Sequence, residues 1–163
     1  MRSHFVVVLP ASALFLSACA SLPDAAPPYS PAPAASDGYA TVYFYRVGAY
    51  PSLRRPDILI SGVPIYEPPE LAYTWVHVKA GLHTFKAQWA WDTRWPTVEF
   101  KQDLIAGASY YYKLSGSFES TGMKFILGSS LQPIDSDRAI YELTKCCKYI
   151  PPKVQHVPSL NSQ

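Results

Sequence analysis

Apolar residues recur at every second position along most of this chain, and this period of two limits its fold more than any other feature. The run ATVYFYR at residues 40–46 places Val42 and Phe44 on one side of an extended chain and Tyr43 and Tyr45 on the other. Such alternation is typical of a strand with one buried face. Similar runs follow at DILISGVPIY (57–66), WPTVEFKQDL (95–104), ASYYYKLSG (108–116) and MKFILG (123–128).

The longest alternating run is AYTWVHVKAGLHTFKAQWAW, residues 72–91. Val76 and Val78 alternate with polar and aromatic neighbours, and Phe85 and Ala87 repeat the pattern after Ala80-Gly81. A glycine between two alternating runs is a turn signal. The sequence therefore predicts a β-hairpin over residues 72–91.

The end of the chain changes to helical spacing in DSDRAIYELTKCCKYI, residues 135–150. Asp135 or Ser136 is suited to cap the helix, and Pro151-Pro152 ends it. An apolar stripe predicts which face lies against the sheet. The stripe consists of Ala139, Ile140, Leu143, Cys147 and Ile150.

About seven short strands with Gly/Pro turns between them indicate a mainly β fold, either a β-sandwich or a small barrel. We expect a small antiparallel β-sandwich with one C-terminal α-helix, formed by residues 39–150. Because 48% of the residues are apolar, a domain of this size can bury a core without disulfides. Residues 151–163 are predicted to form a loose tail.

The first 18 residues have the layout of a secretory signal. Arg2 precedes an apolar run from Phe5 to Leu16, which at about 12 residues is too short to span a bilayer as a helix. The sequence Leu16-Ser17-Ala18-Cys19 then resembles the lipobox of bacterial lipoproteins, in which the cysteine is lipidated and becomes the new N-terminus.

The lipobox resemblance implies a lipid anchor on Cys19, and the alternative is a plain signal peptide with an incidental cysteine. Several acyl chains on one residue anchor a protein firmly. Ala20 lacks the acidic character that favours inner-membrane retention in enteric bacteria. The resemblance therefore implies the outer membrane, on its periplasmic side.

Residues 19–38 contain five prolines and few large apolar side chains. Such a segment predicts a flexible tether that reaches up to about 50–60 Å. Removal of residues 1–18 takes away Arg2, which leaves 13 basic and 12 acidic side chains, a net charge of +1. This balance gives no long-range field that would attract nucleic acid.

Four runs resemble, in this order, the landmarks of a bacterial family of domains of unknown function, found mostly in small lipoproteins and similar to PEGA domains. The runs are ATVYFYR, ILISGVPI, HVKAGLHTF and LIAGASYYYKL. The resemblance covers about residues 39–148 and implies a prealbumin-like or immunoglobulin-like sandwich. It implies no biochemical activity. Ala80 stands where the family has the proline of its PG-x-H turn.

Residues suited to catalysis or metal binding do not form a pattern. His77, His83 and His156 occur singly, and no Ser-His-acid or zinc spacing is present, so we predict no catalytic residue, metal or cofactor. A hydrolytic or accessory domain acting on cell-wall glycan or peptide is the alternative. Its candidate carboxylates would be Asp92, Glu99 and Asp103.

Cys146 and Cys147 are adjacent, and an exported protein meets an oxidising compartment. Three states stay open for them: separate thiols, an intermolecular disulfide, or a disulfide between neighbours.

Aromatic residues suggest a binding surface for an envelope protein or a glycan, because such rings stack against sugars and apolar patches. The alternative is that a second layer covers them. The candidates are Tyr43, Tyr45, Trp75, Trp89, Trp91 and Trp95.

Overall fold

A computed structural model describes residues 25–49, 54–120, 122 and 124–158. Within them the chain is mainly β, with two sheets and a single α-helix near the C-terminus, so the predicted fold class is confirmed. The predicted signal peptide and Cys19 lie outside the described residues. The elements are β1 (Tyr39–Arg46), β2 (Asp57–Ile60), β3 (Val63–Tyr66), β4 (Ala72–Lys79), β5 (Gly81–Gln88), a one-turn 3-10 helix (Trp91–Thr93), β6 (Val98–Leu104), β7 (Ser109–Ser120), β8 (Phe125–Ile134), α1 (Ser136–Cys146), β9 (Lys148–Tyr149) and β10 (His156–Val157).

The strands form two sheets that face each other. Sheet A has the order β10-β4-β1-β7-β8, with β9 also paired to β4, and sheet B has the order β3-β2-β5-β6. Most neighbours are antiparallel, but β7, β9 and β10 run parallel to their partners β1 and β4. The chain thus leaves sheet A twice to build sheet B, with β2 and β3 between β1 and β4, and with β5 and β6 between β4 and β7.

The predicted hairpin at residues 72–91 is wrong. β4 pairs with β1 in sheet A, whereas β5 pairs with β2 and β6 in sheet B. The chain crosses between the sheets at Ala80, whose amide donates to the Gly38 carbonyl at 2.9 Å. Gly81 follows with φ 124°, which a residue with a side chain rarely adopts. Alternation fixes the two faces of a strand but leaves its partner open, and here β1 supplies Val42 opposite Val76.

The alternating run at residues 57–66 forms a hairpin of β2 and β3. Ser61 and Gly62 connect these strands with φ values of 51° and 83°. Two consecutive left-handed residues form the turn whose twist suits a two-residue hairpin.

The main core lies between the two sheets. Val42, Phe44 and Val76 contribute from sheet A, as the alternation predicted, and Phe85 from sheet B faces them. The Phe85 ring lies 5.0 Å from that of Tyr112 and 6.2 Å from that of Phe44. Full burial of such a side chain stabilises the fold by about 1.5–3 kcal/mol, so this layer is the principal source of stability.

Helix α1 covers the opposite face of sheet A. The Asp135 side chain accepts hydrogen bonds from the backbone amides of Asp137 and Arg138, which confirms it as the cap. Ala139 and Leu143 are buried against the tyrosines of sheet A. The helix is shorter than predicted, because Cys147 is extended and the next two residues join β4 as β9. Ile140, predicted to belong to the buried stripe, is instead exposed.

Residues 27–32 also lie against sheet A, so this part of the predicted tether is not a free spacer. The Ser30 and Ala32 amides donate to the hydroxyls of Tyr73 and Tyr43, at 3.0 and 2.9 Å. The Tyr149 amide donates to the Pro27 carbonyl at 2.8 Å. Pro28 forms a single antiparallel bridge with Lys148 of β9, and the phenols offer acceptors to the rest of this backbone. These contacts were not apparent from its composition.

Part of the predicted loose tail is also packed against the domain. His156 and Val157 form β10, and Val157 is fully buried in the main core. None of the helices in the described part of the chain is long and apolar enough to cross a bilayer.

Candidate functional site

The six aromatic residues predicted to form a binding surface do not share one. Tyr43, Tyr45 and Trp89 are buried, so their assignment to an exposed surface is wrong. Trp75 and Trp95 are half-buried, and Trp91 is 93% exposed. For the tyrosines the alternative holds, since a second layer covers them.

The covered face of sheet A binds its own helix through a polar network. The Tyr45 hydroxyl donates to the Glu142 carboxylate at 2.9 Å, and Lys113 donates to the same oxygen at 2.9 Å. Burial, followed by the hydrogen bond to Glu142 and its charge, raises the pKa of Tyr45. Burial alone would raise the pKa of Glu142, but the hydrogen bonds from Lys113, Tyr45 and Arg138 outweigh it, and the pKa is lowered. Glu142 therefore stays ionised and joins α1 to the sheet.

The three histidines of the folded domain make contacts within and between its strands. His83 is buried, with Nδ1 2.9 Å from the Ser61 hydroxyl and Nε2 2.7 Å from the Lys79 carbonyl. His77 and His156 stand opposite each other on β4 and β10, with ring centroids 5.4 Å apart. Burial and the neighbouring His156 lower the pKa of His77.

A buried arginine organises one end of the sandwich. Arg46 is fully buried at the end of β1, and its guanidinium donates to the carbonyls of Ala49 and Arg54, each at 2.9 Å, and of Pro68 at 3.1 Å. It also forms an ion pair with Glu70 at 3.2 Å. The Arg46 side chain therefore holds the loops at this end of the sandwich to β1.

Trp89 links the same end to β8. Its ring centroid lies 5.7 Å from the Arg46 guanidinium carbon, and its indole N–H donates to the Ser129 hydroxyl at 2.8 Å. The Trp95 ring centroid is 6.0 Å from that of Trp89. Trp91 lies between them in the chain, at the start of the one-turn helix, and its side chain is exposed to solvent.

Beyond this end, β7 and β8 continue as a two-stranded arm. β1 ends where Arg46 pairs with Leu114, but β7 runs on to Ser120, which pairs with Phe125. We call residues 115–120 and 125–130 the arm. A ribbon of two strands has no third strand to shield it, so its apolar side chains meet solvent.

Apolar residues concentrate near the tip of the arm. The rings of Phe118 and Phe125 stack with centroids 5.5 Å apart, and Phe125 is 68% exposed. Ile126 is exposed as well. We call Trp91, Phe118, Phe125 and Ile126 the aromatic end; the arm and the Trp91 turn project from the same end of the sandwich.

The base of the arm is lined by small side chains. They border an open hollow of about 180 Å³, which is too shallow to enclose a drug-sized ligand. The lining residues are Ser115, Gly116, Ser117, Gly128, Ser129 and Ser130.

Two of the three carboxylates of the hydrolytic alternative are held in ion pairs. Asp92 forms an ion pair with Arg54 at 2.6 Å, and Glu99 forms one with Lys86 at 3.1 Å. Glu99 and Asp103 are four residues apart on β6, which is about 13 Å along a strand. A glycosidase pair stands about 5–9.5 Å apart, so this arrangement does not support that chemistry. In the described part of the chain, no three His, Cys, Asp or Glu residues could together hold a metal ion.

Cys146 and Cys147 are joined by a disulfide, one of the three states that the sequence left open. The bond lies where α1 ends and the chain becomes extended. With Cys19 as the third cysteine of the sequence, both cysteines of the folded domain are bonded to each other.

The arm residues Phe118, Phe125 and Ile126 were not among the predicted site residues. The pattern of MKFILG, residues 123–128, predicts an ordinary strand, because alternation alone does not show where a neighbouring strand stops. The signal that could have identified it is the composition of residues 115–130, in which glycine and serine surround a few large apolar side chains. No known protein family, curated protein or solved structure matches this chain, and the resemblance to PEGA-like lipoprotein domains stays a prediction.

Proposed function

We propose that this protein is a lipid-anchored, non-catalytic module of the bacterial cell envelope that acts by binding through its aromatic end. Lipidation of Cys19 would hold it in the outer membrane, facing the periplasm. The motif Leu16-Ser17-Ala18-Cys19 after an apolar run supports the anchor.

The binding role is supported by a difference in exposure between two apolar surfaces, the tyrosine face of sheet A and the aromatic end. The tyrosine face of sheet A is buried under α1, whereas Trp91 and Phe125 are 93% and 68% exposed. Contiguous exposed apolar patches mark interaction sites with proteins or membranes.

Metabolic labelling with radioactive palmitate tests the anchor. The full-length chain is expected to take up label, and Cys19→Ser is expected to lose it and leave the membrane fraction. A Cys146→Ser/Cys147→Ser variant serves as the control, because it removes cysteines that the domain uses elsewhere. An unlabelled wild-type protein would rule out the anchor.

Photo-crosslinking in cells tests the binding role. A crosslinker at position 91 should capture an envelope component, whereas one at Leu82, exposed at the other end of β5, should not. Equal capture from both positions would contradict a specific binding surface.

A further inference from the structure

The N-terminal segment places the anchor beside the aromatic end. Its start is fixed by the Pro27 carbonyl, which accepts from Tyr149 on β9, next to Tyr73 near the start of β4. Its other end reaches Gly38, beside Ala80 after the end of β4. The segment thus runs the length of sheet A, and residue 27 lies at the end where β1 finishes and the arm begins.

The chain between Cys19 and that point is long enough to span the length of the arm. Eight residues separate Cys19 from Pro27, which span at most about 28 Å when fully extended. The arm runs six residues from Leu114 to Ser120, about 20 Å. A lipid held on Cys19 therefore allows the tip of the arm to reach the bilayer surface.

The exposed side chains at this end suit a membrane interface. Tryptophan and other aromatic rings are favoured where hydrocarbon meets headgroups, because one part of the ring is apolar and the other tolerates water. Arg94 follows Trp91 closely and is exposed, as is Lys124 beside Phe125. Basic side chains in these positions can reach lipid phosphates while the rings enter the apolar layer.

We propose that the aromatic end lies in the bilayer that holds the acyl chains on Cys19, with Trp91, Phe118, Phe125 and Ile126 in its interfacial region. This assignment rests on the proposed lipid anchor and names the partner of the same surface as a phospholipid membrane. The protein would then have a fixed orientation, with the opposite end of the sandwich, where β1 starts and β6 ends, pointing away from the membrane.

Quenching of tryptophan fluorescence by brominated lipid tests the orientation. The full-length lipidated protein is reconstituted in vesicles of phosphatidylethanolamine and phosphatidylglycerol, with or without bromine on the acyl chains. The emission of Trp91 is obtained by subtracting the emission of the Trp91→Phe variant from that of the wild type. This substitution should not disturb the fold, because Trp91 contacts mainly solvent. Brominated chains should reduce this emission by about twofold or more, because an interfacial ring lies within reach of the bromine atoms.

A tryptophan at the other end of the molecule is the matched control. Ile105 is 69% exposed just after β6, beside the start of β1. In Trp91→Phe/Ile105→Trp, the emission of the new tryptophan should be unchanged by bromine. Phe118→Ser/Phe125→Ser should weaken quenching of Trp91, whereas Leu82→Ser should not.

Three results would overturn the proposal, and each has its own readout. Trp91 that is unquenched in palmitate-labelled, vesicle-bound protein would show that this end faces away from the bilayer. A dimer in detergent by light scattering, with Trp91 shielded from acrylamide only in that dimer, would assign the surface to a second copy. A wild-type chain that takes up no palmitate would refute the proposed function itself, and the membrane orientation with it.

Discussion

Two parts of sheet A carry the same kind of residues and end in opposite environments. On β1 and β4 the outward positions hold Tyr43, Tyr45 and Tyr73, which are buried under α1 and the N-terminal segment. On the arm, Phe118 and Phe125 stand at equally regular positions and are exposed. The comparison shows that an apolar side chain on a strand becomes core or surface according to what the rest of the chain places over it.

The largest effect is expected where the covering layer meets the tyrosines. Leu143→Ala should lower the free energy of unfolding by about 2–5 kcal/mol, because it leaves a cavity between α1 and sheet A. Ile140→Ala, on the exposed side of the same helix, should change it by less than about 1 kcal/mol. Urea denaturation of both variants measures this, and similar values for the two would contradict the orientation of α1.

The charged contact under the helix should give a smaller effect that depends on pH. Glu142→Gln should lower the free energy of unfolding by about 1–3 kcal/mol at neutral pH, since it weakens hydrogen bonds from Tyr45 and Lys113. The pKa of Glu142 is lowered below its ordinary 4.5 in the folded state. The stabilisation is therefore present above that value and is lost as the pH falls through the folded pKa.

Urea denaturation from pH 3 to pH 7 would measure the difference in the free energy of unfolding between wild type and Glu142→Gln, which should be about 1–3 kcal/mol at pH 7. Glu99→Gln is the control, because its ion pair with Lys86 is more exposed and should contribute less than about 1 kcal/mol. A gap between wild type and Glu142→Gln that widens in acid would contradict the network.

Docking of the N-terminal segment should depend on single phenols. Tyr73→Phe removes the hydroxyl that accepts from the Ser30 amide, and the segment should lose about 0.5–1.5 kcal/mol of local stability. Hydrogen exchange at Ser30 should accelerate. Tyr110→Phe is the matched control, since its hydroxyl accepts from Ile105 at the other end of the sandwich. Acceleration at Ser30 in both variants would indicate general loosening.

The smallest effect on stability is expected on the arm. Phe118→Ser/Phe125→Ser should change the free energy of unfolding by less than about 1 kcal/mol, because both rings are already exposed and lose only their mutual contact. Urea denaturation measures it. A loss as large as that of Leu143→Ala would mean that the arm belongs to the core, and the contrast between the two regions would disappear.

Local pattern was sufficient for the faces of the strands and for the cap of the helix. Val42 and Phe44 face the core and Tyr43 and Tyr45 the other side, as alternation requires, and Asp135 caps α1. Pairing between distant strands was not predictable, because β4 can satisfy its backbone with β1 or with β5, and the choice depends on both sheets together. Tyr43, Tyr45 and Trp89 were mispredicted as surface residues for the same reason, since exposure depends on layers built by other segments.

The sequence by itself determined a mainly β chain with short alternating strands, one capped helix near its end and an N-terminal motif like that of lipoproteins, because these depend on neighbours within a few residues. Only the tertiary structure decided that residues 72–91 cross between sheets and that residues 27–32 lie on the face of sheet A that carries Tyr43 and Tyr73. It also decided that β7 and β8 extend beyond the end of β1. Those outcomes depend on contacts between residues far apart in the chain, whose energies are comparable for several arrangements until the whole core is assembled.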